Sequence, residues 1–268
     1  ITVALGLALV YNFTFTFMRH NSVHYLPLHV HIGIIGWFLL LVIGVASRLI
    51  PLFLISKFSN PGILWLIFWL VNLSLLLFIL IFYFLPISYS LIPDVMLFAA
   101  ILLFIYYCIA AYKQRIRKQV DEQVRLSLLS AIMMALPLIL LFIILLIFIN
   151  RQAENNAFMV AYGFIIFFGW ITAIILGMTF KTLPFIVWNK VYRKRSGQGK
   201  TPSPKDMFSN TVFKIMCIAY LLGFIIFICG LLFPQSILLK PGALLLLITA
   251  ILYNWNVIKI FTHKAQLK

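Results

Sequence analysis

The chain has 268 residues, of which 64% are hydrophobic and 10% charged, and 21 Lys and Arg against 5 Asp and Glu give a net charge of +16. Soluble domains carry about 45–50% apolar and about 25% charged residues, so this composition excludes a soluble globular enzyme and a disordered chain alike. It fits an all-α membrane protein, because a backbone in hydrocarbon must satisfy its polar groups within helices.

Eight apolar stretches approach the ~20 residues that a span needs. They cover 1–18, 27–55, 61–85, 91–112, 126–149, 157–188, 211–233 and 238–260. Pro27, Pro61, Pro86, Pro93 and Pro234 stand at or beside their boundaries, where a missing N–H costs least. Pro137 falls inside the fifth stretch and predicts a kink there. The chain starts at Ile1, and its first stretch carries no A-x-A cleavage site. Cys108, Cys217 and Cys229 all lie in apolar runs without C-x-x-C spacing, which argues against a disulfide framework or a zinc site.

With eight spans and both termini inside, every Lys and Arg except Arg19, Arg151 and Lys240 falls on one side. The positive-inside rule makes that side cytoplasmic. The basic residues thus report orientation in the bilayer, with no nucleic-acid partner implied. The expected location is the bacterial inner membrane. The expected domains are a four-helix unit at 1–112, a basic cytoplasmic loop at 113–125 that anchors at anionic headgroups, and a second four-helix unit at 126–268 with a basic loop at 189–210. Within that last loop, S-G-Q-G-K-T from Ser196 imitates a phosphate-binding loop. It lacks the first glycine of the pattern and follows a span, not a strand, so it reads as a linker.

Spans two and six repeat one another. G-W-F-L-L-L-V-I-G-V-A-S-R-L-I-P from Gly36 and G-W-I-T-A-I-I-L-G-M-T-F-K-T-L-P from Gly169 align Gly36/Gly169, Trp37/Trp170, Gly44/Gly177, Arg48/Lys181 and Pro51/Pro184 at one offset of 133 residues. Two parallel four-helix repeats follow, each with a distinctive second helix. Residue by residue, the glycines read as helix-packing positions, and Arg48 and Lys181 as cations that snorkel to the interface.

Four of the five histidines are packed into R-H-N-S-V-H-Y-L-P-L-H-V-H, as His20, His24, His29 and His31. Imidazole in hydrocarbon needs a partner, and it is a common ligand of haem iron and copper. His29 and His31 are two residues apart, so on a helix they leave opposite faces, about 200° apart. They suit two centres better than one. His29 and His31 are the leading cofactor ligands, His24 is a third metal candidate, and His20 beside Arg19 and Asn21 belongs to solvent. A hydrated interfacial cluster is the bland alternative. His263 reads as a solvated tail residue. Asp94, at the start of span four, reads as a helix N-cap.

The run H-V-H-I-G-I-I-G-W-F-L-L-L-V-I-G-V-A-S-R-L-I-P from His29 resembles the haem-binding helix of the haem-copper oxidase catalytic subunit, above all of the C-type oxidases and nitric oxide reductases. It is also similar to the NnrS group of haem- and copper-containing membrane proteins. The resemblance implies a haem-copper-oxidase-like fold, with His29 as the high-spin-type and His31 as the low-spin-type haem ligand. It also implies haem b, with copper as a further cofactor, and other respiratory membrane subunits as partners. The oxidase array has three four-helix units, and the non-Met start raises the expectation of a further N-terminal unit. Span three has no histidine for a copper site, and span six offers only Tyr162 at the equivalent depth. The implied activity is therefore electron transfer or handling of a diatomic ligand such as nitric oxide, short of full oxygen reduction. A transporter of a small solute or metal, or a cofactor-free subunit of a respiratory complex, are the competing readings.

Overall fold

The computed structural model describes residues 1–151, 156–193, 201–233 and 235–265. The segment 196–200, which holds most of the phosphate-loop imitation, lies outside the described residues. The chain is all-helical. Among the described residues, seven helical segments are long and apolar enough to cross a membrane: Ser22–Leu54, Pro61–Phe84, Ile87–Lys113, Glu122–Asn150, Asn156–Tyr192, Asn210–Leu232 and Ser236–Phe261. The chain is a multi-pass membrane protein. The first expected span is a shorter helix, α1 (Thr2–Phe15). Its 14 residues reach roughly 21 Å, against a hydrocarbon core of about 30 Å.

The remaining helices are α2 (Leu26–His31), α3 (Leu40–Leu54), α4 (Pro61–Phe84), α5 (Leu91–Lys113), α6 (Glu122–Met133), α7 (Ala135–Arg151), α8 (Asn156–Phe164), α9 (Thr172–Tyr192), α10 (Asn210–Leu232) and α11 (Ser236–Phe261). Two π-helical segments, Ile32–Leu39 and Ile165–Ile171, join α2 to α3 and α8 to α9. Their first residues are 133 apart, the offset of the sequence repeat. A span therefore reads as two α-helices around a π segment at the same repeat position in each half.

The chain divides into two compact units. One comprises Ile1–Lys118 and Leu138–Glu154, the other Gln119–Pro137 and Asn155–Lys268. The division after Lys118 falls in the expected loop 113–125. The second half of the fifth span, however, groups with the first unit. In the first unit, Ile43, Ala46 and Ile50 of α3, Ile67 and Val71 of α4, and Leu97, Ala100 and Phe104 of α5 form the core. In the second, α10 and α11 approach so closely that a Cβ on Gly242 would lie 2.8 Å from the Phe227 nitrogen. Small residues at helix crossings permit that approach in lipid.

Breaks in these helices are repaired by side chains. Pro137 cannot donate to the Met133 carbonyl, and the fifth span breaks there into α6 and α7, as the proline predicts. Pro51 inside α3 leaves the Ser47 carbonyl without its helical donor, and the Tyr107 hydroxyl donates to it at 3.0 Å. In the second π segment Gly169 departs from helical geometry (φ −86°, ψ −110°). The buried Tyr220 hydroxyl lies 2.7 Å from the Gly169 carbonyl oxygen and 2.9 Å from that of Phe168.

Two sequence expectations are corrected by longer-range contacts. Lys181 does not simply snorkel: its ammonium donates to Asp121, just before α6, at 2.6 Å, and Lys205 reaches the other carboxylate oxygen at 2.7 Å. His263 is no solvated tail residue, since its Nε2 lies 2.9 Å from the Tyr192 hydroxyl.

Two predictions follow from these contacts. Tyr220→Phe leaves the two carbonyls of the kink without their donor, and thermal unfolding in detergent should show a loss of roughly 1–3 kcal/mol. The second concerns Asp121. Burial alone would raise its pKa, but the hydrogen bonds and charges of Lys181 and Lys205 outweigh burial and hold the carboxyl well below the usual carboxylate range. A folded-state pKa below the unfolded one stabilises fully above the ordinary value of about 3.9, and that contribution is lost as pH falls beneath it. Melting temperatures followed below pH 5 should therefore drop more steeply for the natural chain than for Asp121→Asn.

Candidate functional site

The histidine-bearing segment follows α1. Helix α1 stops at Thr16, which adopts a left-handed conformation (φ 44°) unusual for a β-branched residue. The chain then turns back around one buried amide, Asn12. Its Oδ1 accepts from the Met18 N–H at 2.8 Å, and its Nδ2 donates to the His20 carbonyl and the Ser22 hydroxyl, both at 3.2 Å. Ser22 in turn donates to the Leu9 carbonyl at 2.7 Å. Sequence reasoning missed this knot; the only local sign was a lone Asn at the polar end of an apolar run.

A 3-10 turn, Ser22–Tyr25, precedes α2, with the Asn21 side chain accepting from the His24 N–H at 3.1 Å. Pro27 then sits in the first turn of α2, where its missing N–H is harmless. His20 and His24 belong to this turn region and are exposed, with ring centroids 4.5 Å apart. The His24 ring also contacts Phe82 of α4 at 5.3 Å.

His29 and His31 leave α2 toward different neighbours, as their spacing requires. The His29 ring lies against α1 at Gly6, where a Cβ would come within 2.9 Å of its Cε1. A side chain at this position would force the ring to shift. His29 Nδ1 is buried and has no hydrogen-bond partner. The His31 ring packs on Phe78 of α4, centroids 4.7 Å apart. Its Nδ1 lies 2.7 Å from the Pro27 carbonyl oxygen. A carbonyl only accepts, so Nδ1 carries the proton and the ring lone pair is on Nε2. Such a hydrogen bond is how proteins orient metal-ligating histidines.

The structure thus keeps His24, His29 and His31 apart. Among the described residues, no three His, Cys, Asp or Glu side chains come together as a metal site. For haem, which can take a single axial imidazole, the tautomer and orientation of His31 fit, and the orphaned nitrogen of His29 fits a group in want of a partner. A three-histidine copper centre does not fit.

The repeat gives an internal comparison. The positions 133 residues on from His29 and His31 are Tyr162 and Phe164. Phe164 is buried in an aromatic stack with Phe168, Phe224 and Phe227, at centroid distances of 5.0, 5.7 and 4.6 Å. At the position of His31 the second unit thus has hydrocarbon packing where the first has imidazole. Asp94 also departs from expectation. Ser90 is the N-cap residue of α5; Asp94 lies inside the first turn, is 5% exposed, and leaves Oδ1 buried without a partner.

Asn12→Ala removes a buried amide that organises three segments. Amide hydrogen exchange across residues 16–25 should accelerate at least severalfold, while exchange in α10 and α11 stays unchanged.

No protein family matches the chain, and no curated protein or solved structure shows significant similarity to it.

Proposed function

We propose that this chain is an integral membrane haem b-binding protein of the haem-copper-oxidase-like or NnrS-like kind, serving electron transfer or the handling of a diatomic ligand such as nitric oxide. His31 would be the leading residue to hold the haem and His29 the second. The observation that carries this reading is the Nδ1–H of His31 held at 2.7 Å from the Pro27 carbonyl oxygen, which fixes the ring with its lone pair on Nε2. Three further observations support it. His29 Nδ1 is buried without a partner. A π segment starts at the residue after His31, and such segments are frequent at functional sites. The π segments recur at the repeat offset, in keeping with two parallel four-helix units.

Bound haem would supply a one-electron couple and an iron site for a diatomic ligand. The chain's own residues have simpler tasks. Pro27 orients His31, Gly6 makes space for His29, and Phe78 packs on the His31 ring. The knot around Asn12 holds the preceding turn. The lipid bilayer is the immediate partner; respiratory subunits, the inner bacterial membrane and cytoplasmic termini belong to this same proposal. Haem is preferred to copper because no three His, Cys, Asp or Glu side chains gather among the described residues.

One observation favours a transporter as the second reading. An ionisable side chain inside a span is commonly functional, and Asp94 leaves Oδ1 unpartnered there. A single preparation separates the two. Protein purified from haem-replete cells should show a reduced-minus-oxidised haem band near one per chain, abolished by His31→Ala and weakened by His29→Ala. A haem-free natural chain, or a band unchanged in His31→Ala, overturns the proposal. Metal or solute uptake into proteoliposomes that is lost in Asp94→Asn would then establish transport.

A further inference from the structure

The two repeated spans carry the same glycine and the same cation but differ in what covers them. In the second unit, α6 lies across Gly177: a Cβ there would come 2.7 Å from the Gln123 carbonyl oxygen and would also strike Ser127. One turn further along α9, Lys181 holds the carboxylate of Asp121, just before α6. A helix thus crosses the glycine, and an acid at its end neutralises the cation.

In the first unit the corresponding surface is open. A Cβ on Gly44 would meet nothing within 4 Å. Arg48, one turn further along α3, is exposed, and no carboxylate among the described residues pairs with it. Helix α1 covers this span only nearer the histidines, where Gly6 meets His29 and Thr2 meets Gly33. Beyond that point a groove of about 600 Å³ runs between this span and the start of α4, lined by Trp37, Gly44, Ser47, Pro61, Trp65 and Phe68. Trp37 and Trp65 are 66% and 61% exposed.

We propose that this groove seats an apolar partner helix whose carboxylate pairs with Arg48, as α6 and Asp121 seat on Gly177 and Lys181. Three features favour a helix over a lipid chain. Glycine at the crossing allows backbones to approach. The cation lies one turn from that glycine, the spacing at which the second unit makes its own ion pair. A guanidinium that snorkels toward the interface from this position is free to form a bidentate pair with a carboxylate. The inference rests on the 133-residue offset and is independent of the haem reading.

The test places a photoreactive benzoylphenylalanine at Leu41, which lines the groove, in the full chain expressed in its host membrane. After illumination, the cross-linked products are sequenced by mass spectrometry. The expected product is an apolar peptide with an Asp or Glu within about two turns of the linked residue. Its yield should fall severalfold in Arg48→Gln, recover in Arg48→Lys, and vanish in Gly44→Leu, which fills the crossing. Adducts with lipid alone, a peptide lacking an acid, or a yield indifferent to Arg48→Gln each overturn the proposal.

Discussion

In hydrocarbon no water replaces a missing backbone hydrogen bond, so each break in a spanning helix must be repaired from within the protein. That constraint governs this molecule, because its second and sixth spans are broken by design. Each contains a π segment and, some turns later, a proline. Tyr107 supplies the donor that Pro51 cannot give to Ser47. Tyr220 serves the exposed carbonyls of the Gly169 kink, and the Thr172 hydroxyl donates to Phe167 at 2.7 Å. The two tyrosine hydroxyls come from α5 and α10, so the broken spans are held by the helices beside them. Kinks of this kind bind the fold together as well as bend it.

A π segment also changes which residues share a face. Its wider turn shifts the angular phase of everything that follows. His29 and His31 therefore keep their opposed directions, which depend on α2 alone, while their facing relative to Gly44 and Arg48 cannot be read from a 3.6-residue wheel. The histidine site and the open groove lie on one span yet have separate surroundings: α1 and Phe78 for the first, the start of α4 for the second.

What was legible in the sequence was local. Apolar run length gave the spans, Pro137 the break between α6 and α7, and the two-residue spacing the divergence of His29 and His31. The repeat was visible because its glycines, prolines and cations sit in one register. What the sequence hid depends on residues far apart in the chain. Lys181 looked like a snorkelling cation because Asp121 lies 60 residues away. His263 looked solvated because Tyr192 lies 71 residues away. Asp94 looked like a cap, but the 3-10 turn Ile87–Ser90 brings the helix start forward and carries the carboxyl inside. The grouping of Leu138–Glu154 with the first unit had no local signal at all, since uniformly apolar helices offer no preferred face.

Burying an imidazole in this bundle has a cost. An unpartnered buried nitrogen such as His29 Nδ1 is worth about 1–3 kcal/mol against folding. The contact that buries it is tight at Gly6 of α1, where an added Cβ would force the ring to shift. Packing alone would be better served by a phenylalanine or leucine opposite an alanine. At the repeat position of His31 the second unit takes such a course, with Phe164 and its stacked neighbours, whereas the position of His29 is held there by Tyr162. The two units thus diverge at the position of His31, where the first has imidazole and the second hydrocarbon. Under the proposed haem reading, a ligand that takes up the His29 nitrogen would offset the cost of leaving it buried without a partner.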